Sequence, residues 1–203
     1  MSSATLVALV ALGFGVVLVR RRSLATLLVA VQALLLGVAA LSLAGGGGLV
    51  VAGVILLVRA VALPALLTLA RRRTPEPGLV TPATTVVVRL LGATVVALVA
   101  MAAIPPIGLG DRAVEHSAVA LLSLGIVTVV MRRPALLQVL GILVAENGVY
   151  LLAISVPGGL PVVIELGVLF DLALMITVAA AFTQKIQGEV GTGNTDLLRG
   201  LRD

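Results

Sequence analysis

Arg59, Glu146 and Asp171 each stand near the centre of a long apolar segment, where an ionisable side chain asks for an explanation. A charge at the middle of a membrane-spanning helix costs an apparent ~2.5–3.5 kcal/mol on insertion scales. At a rise of about 1.5 Å per residue all three fall near the bilayer midplane, so they are able to face one another. Opposite charges then offset part of the burial, and the additional carboxylate can take and release a proton near neutral pH. Two readings follow: stations on a proton path, or a structural ion pair with one neutral acid held by backbone and hydroxyl partners.

Other residues qualify that choice. Pro64, five residues after Arg59, removes a hydrogen bond and presses its ring against the carbonyl of residue 60. A helix kink is expected there, and a broken helix beside a buried charge admits water. Glu165 precedes Asp171 by six residues, which on a helix turns the two about 120° apart, so they serve different neighbours. It is either a second relay station nearer the outer surface or a solvated interfacial acid. Arg89, just inside its segment, is expected to snorkel. Gln32 and Asn147 read as interhelical polar contacts. His116 reads as interfacial, and Tyr150 carries no argument from sequence.

Helices must hold these side chains. A spanning helix needs ~20 apolar residues, and segments 4–19, 24–44, 48–70, 83–103, 116–131, 135–156 and 160–183 meet or approach that length. The breaks are short and marked by arginine, glycine or proline. Arg20–Arg22, Arg71–Arg73 and Arg132–Arg133 occupy alternate loops, and Lys185 ends the last segment. By the positive-inside rule those loops are cytoplasmic. The expected fold is therefore an all-α integral membrane bundle of seven transmembrane helices, N-terminus outside and C-terminus cytoplasmic. Helices one to five lie in 1–131, helices six and seven in 132–187, and a polar cytoplasmic tail in 188–203. The first apolar run ends in arginines rather than a small-residue cleavage site, so it is expected to stay as a helix.

Composition agrees with lipid as the solvent. The chain is 60% hydrophobic and only 11% charged, against about a quarter charged in soluble domains, and its mean hydropathy is +1.24. The net charge of +5 comes from arginines clustered between apolar runs, and with aromatics at 2% no stacking platform for nucleic acid exists. Without cysteine the chain has no thiolate for an iron–sulfur cluster, and one histidine builds neither a bis-imidazole haem nor a multi-histidine metal site. No redox cofactor or metal is expected in this chain. A retinal pigment would need a lysine within a span, and Lys185 lies at the end of one. No inverted repeat marks a stand-alone transporter.

The order of polar residues resembles a known family. Leu140-Gly141, the Glu146-Asn147-Gly148 triplet, Glu165-x-Gly167 with Asp171, and the terminal Asn194-Thr195-Asp196-Leu197 with Leu201 resemble component E of the formate-hydrogenlyase type (group 4) membrane-bound nickel–iron hydrogenases. Arg59 with Pro64, and Gln32 after the first arginines, extend the likeness over most of the chain. The last three helices of that family are similar to subunit K of respiratory complex I and to its counterpart in multisubunit sodium/proton antiporters. The resemblance implies that Glu146 and Asp171 stand where those proteins place acids of a central hydrophilic axis. The chain departs from it in carrying aspartate at 171 instead of the glutamate usual in subunit K, and arginine at 59 in place of lysine. An arginine keeps its proton even when buried, so Arg59 fits a fixed electrostatic modulator of the acids. The function implied is a non-catalytic membrane-arm subunit of a complex I-like hydrogenase in the cell membrane. Antiporter-like membrane subunits and peripheral nickel–iron and iron–sulfur subunits are its partners under that reading. A purely structural adaptor and a component of a multisubunit sodium/proton antiporter are the alternatives.

Overall fold

A computed structural model describes residues 1–45, 47–71, 85–106, 108, 111–132, 135–156 and 167. The expected seventh span, with Glu165 and Asp171, and the tail lie outside the described residues, apart from Gly167. Six α-helices run through the rest: α1 (Ser3–Leu18), α2 (Arg22–Ser42), α3 (Gly47–Arg71), α4 (Val86–Ala103), α5 (Arg112–Met131) and α6 (Ala135–Ser155). Among the described residues four helical stretches, α2, α4, α5 and Leu136–Ser155 of α6, are long and apolar enough to cross a membrane, as a multi-pass membrane protein requires. Ser3–Leu18 and Gly47–Ala62 are shorter apolar stretches.

Local chemistry sets the boundaries. The Ser2 hydroxyl accepts from the Thr5 amide at the start of α1, and the Thr85 hydroxyl accepts from the Val88 amide at the start of α4. The Asp111 carboxylate accepts from the Ala113 amide at 2.9 Å. This cap starts α5 four residues earlier than hydropathy places it, giving 20 residues in place of a marginal span. Hydropathy misses that turn because Arg112, Glu115 and His116 are polar, although an acid in the first turn favours the helix end. α3 continues through Pro64, which is half-buried.

α4 shows which solvent the bundle is built for. Its buried residues are Arg89, Ala93 and Ala97, one stripe at four-residue spacing. The outward side carries Val87, Leu91, Leu98 and Val99, each more than half exposed. A helix facing water would present the opposite arrangement. Hydroxyls within the spans are absorbed locally, as Ser123 and Thr128 donate to the carbonyls of Val119 and Leu124 one turn back.

The most extensive helix contact joins α5 to α6, followed by α2 with α3. Glycine permits both. A Cβ on Gly148 would lie 2.6 Å from the Ala118 carbonyl oxygen, and one on Gly125 would lie 2.5 Å from that of Gly141. The α5 and α6 backbones therefore touch directly, as membrane helices do where small residues meet. The end of α1 is closed differently. Arg89 Nη1, on α4, donates to the Val17 carbonyl at 3.2 Å, and Arg132 Nη2, at the end of α5, donates to the same oxygen at 2.7 Å. Arg89 does not snorkel: only 1% of it is exposed, because the open carbonyls of a helix end offer acceptors nearer than water.

Gly125→Val should separate α5 from α6 and lower the thermal midpoint of the purified protein, an overpacking cost of about 1–3 kcal/mol. Gly48→Ala, where a Cβ meets nothing within 4 Å, should leave the midpoint nearly unchanged.

Candidate intramembrane site

α6 supplies three of the five side chains of the site. Glu146 and Tyr150 are one turn apart on the same face, and Asn147 is the next residue round the helix. α3 packs chiefly on α2, and the length of the Arg59 side chain carries its charge across to α6. Arg59 Nη1 lies 3.0 Å from Glu146 Oε2, with the two side chains 2% and 8% exposed. Arg59 Nη2 donates to Asn147 Oδ1, and the guanidinium carbon stands 5.8 Å from the centroid of the Tyr150 ring, within cation–π range.

The contacts continue to α1 and α2 in a fixed direction. Arginine only donates and a backbone carbonyl only accepts. Asn147 must therefore turn its oxygen toward Arg59, which leaves its amide nitrogen to donate to Gln32 Oε1 at 2.8 Å. Gln32 Nε2 in turn donates to the Leu9 carbonyl at 2.8 Å. Both amides are fully buried. Gly13 stands one turn beyond Leu9 on α1, where even a methyl group would meet Leu124 at 3.0 Å, so a small residue keeps α1 close enough for its carbonyl to be reached. One arginine thus joins four helices through Glu146, Asn147 and Gln32.

On its other side the site meets the last segment. A Cβ on Gly167 would lie 2.7 Å from Tyr150 Oη, so residue 167 passes directly against the phenol. The Glu165-x-Gly167 pattern therefore contains one residue whose lack of a side chain the tyrosine requires. Of the residues singled out from sequence, Arg59, Glu146, Asn147 and Gln32 come together; Asp171 and Glu165 lie outside the described residues. Pro64 lies on α3 five residues beyond Arg59. Tyr150 is the site residue that sequence reasoning passed over, and its spacing of four from Glu146 is the signal that marks it. His116 is exposed at the start of α5, as an interfacial residue should be. It lines a cleft of about 280 Å³ with Arg112, Glu115 and Pro105, separate from the buried ion pair.

The chemistry available is limited and specific. Asn147 and Gln32 orient but do not titrate, and Arg59 holds its proton. Glu146 is the group among these that can change charge, at the expense of its pairing with Arg59.

No family model and no solved structure matches the chain. It is 33% identical over 86 residues to Rv0085, an uncharacterized protein of Mycobacterium tuberculosis. The match covers 42% of this chain and 38% of that relative, so the chain spans well under half of the protein it matches.

Replacing Arg59 by leucine removes the positive charge that balances Glu146 inside the bundle. Breaking a buried pair in this way costs about 3–5 kcal/mol, and a well-packed apolar replacement of both partners costs far less. Thermal unfolding in detergent should therefore show Arg59→Leu less stable than Arg59→Leu with Glu146→Leu. Arg59→Lys, which keeps the charge but cannot fork to two partners, should fall between Arg59→Leu and the native chain.

Proposed function

We propose that the chain is a membrane-arm subunit of a complex I-like, formate-hydrogenlyase-type membrane-bound hydrogenase, with seven transmembrane helices and its C-terminus in the cytoplasm. Its role is to contribute mid-membrane acids to a proton-translocating hydrophilic axis coupled to redox chemistry in partner subunits. The observation that carries this reading is the Arg59–Glu146 ion pair, buried midway along two helices of an otherwise apolar bundle. Ionisable groups at such depth are costly and are kept mainly where ions or protons move. The resemblance of the polar residues to component E supplies the parent complex, and the absence of cysteine from the sequence assigns iron–sulfur chemistry to other chains.

The mechanism rests on one arginine and two acids. Arg59 is charged throughout, so it requires one carboxylate at a time. When Glu146 holds Arg59, the proton resides on Asp171; when Glu146 takes up a proton, Arg59 turns to Asp171. Electron transfer in the peripheral subunits biases which acid is ionised. Glu165 is a further station toward the outer face.

A second reading is a structural adaptor that joins antiporter-like subunits to the redox arm. The observation in its favour is the chain of buried amides from Asn147 through Gln32 to the Leu9 carbonyl, which ties helices together without titrating.

Glu146→Gln in the assembled complex separates the two. The relay requires fewer protons translocated per electron pair, with the complex still assembled. An unchanged ratio with normal assembly would reject the relay and leave the adaptor. The proteins that co-purify with the native chain are expected to include a nickel–iron large subunit.

A further inference from the structure

The end of α1 gathers positive charge that the described residues do not neutralise. Arg89 and Arg132 both reach the Val17 carbonyl, and Arg132 also donates to that of Val19. Arg20 follows in the chain and is exposed, and Arg22 opens α2 half-buried. Open carbonyls at a helix end are equivalent to about half a negative charge, less than either of the two guanidiniums seated on them. Burial first, then Arg89 and Arg20, lower the Arg132 guanidinium to about 10, which still leaves it charged at neutral pH. The acids among the described residues stand elsewhere: Glu146 on Arg59, and Asp111 and Glu115 at the opposite end of α5 from Arg132. Hydrogen-bond donors remain here as well. Arg22 Nε, Arg89 Nε and Nη2, and Arg132 Nε have no partner among the described residues, and Arg89 is 1% exposed.

We propose that this end of the bundle, around Arg20, Arg22, Arg89 and Arg132, binds the phosphodiester of an anionic phospholipid headgroup. The ends of α1 and α5 and the starts of α2 and α4 converge here, so the arginines stand where apolar helices give way to headgroups. A phosphate accepts the forked, charge-assisted hydrogen bonds that guanidinium groups offer. A lipid fits better than a free anion because exposed apolar side chains flank the charge: Leu24 and Leu27 on α2, and Val87 and Leu91 on α4. The headgroup meets Arg20 and Arg22 directly, while Arg89 and Arg132 hold the end of α1 in place behind them and add to the field.

The test titrates the purified full-length chain in detergent with phosphatidylglycerol, phosphatidylcholine or inorganic phosphate and follows the thermal midpoint. Phosphatidylglycerol should raise it by several degrees where phosphatidylcholine and inorganic phosphate do little. Arg20→Gln combined with Arg22→Gln should remove most of that difference while leaving the lipid-free midpoint close to native. Arg132→Gln should remove it too, and should lower the starting midpoint because α1 loses a cap. Equal shifts with both lipids, a shift reproduced by inorganic phosphate, or an undiminished response of the Arg20/Arg22 variant would each overturn the proposal. Selectivity that emerges only once Glu189, Asp196 and Asp203 are neutralised would give the arginines to the chain's own tail, and would overturn it as well.

Discussion

A guanidinium buried in a lipid-facing bundle has five N–H donors, no acceptor and no accessible neutral form. Wherever Arg59 is placed, acceptors must be brought to it, and they must include a negative charge. The arrangement of α1, α2, α3 and α6 answers that demand. Glu146 provides the charge, Asn147 the second acceptor and Tyr150 an aromatic face. Because Asn147 is itself buried, its amide nitrogen needs Gln32, and Gln32 needs the Leu9 carbonyl. Every link after the first is forced by the one before it, since a buried polar group left without a partner costs more than a made hydrogen bond returns.

The rest of the bundle follows rules that lipid imposes. Burial of apolar surface contributes little between helices already surrounded by hydrocarbon, so close contact depends on small residues and polar ties. The backbone approach of α5 and α6 at Gly125, Gly141 and Gly148 is the first kind. The arginines on the end of α1 are the second. α4 combines both, burying Ala93 and Ala97 beneath Arg89 while its valines and leucines face outward.

Much of this was legible in the sequence because lipid makes the signals coarse. Each of the first six apolar segments corresponds to a helix, and boundaries moved chiefly where a side chain altered the helix end, as Asp111 does for α5. The meeting of Arg59 and Glu146 could be read from depth alone, since two opposite charges at one level in a bilayer have few other partners. Tyr150 could not, because a single tyrosine on an apolar helix looks alike whether it faces lipid or a cation. Arg89 was misread for a similar reason. An arginine one turn inside a helix has the same local sequence whether it reaches water or the end of another helix, and only the packing of α1 between α4 and α5 decides. Asp171 and Glu165 lie outside the described residues, so their depth stays a matter of sequence.

The amide chain from Asn147 to Leu9 has an electrical consequence. Its hydrogen bonds all point one way, away from Arg59 and into a backbone carbonyl, and neither amide can surrender a proton and recover it as a carboxylate does. That side of the bundle is wired as insulation. A charge displaced at Glu146 has no conducting route toward α1, so whatever responds to it lies on the opposite flank, where Tyr150 rests against Gly167.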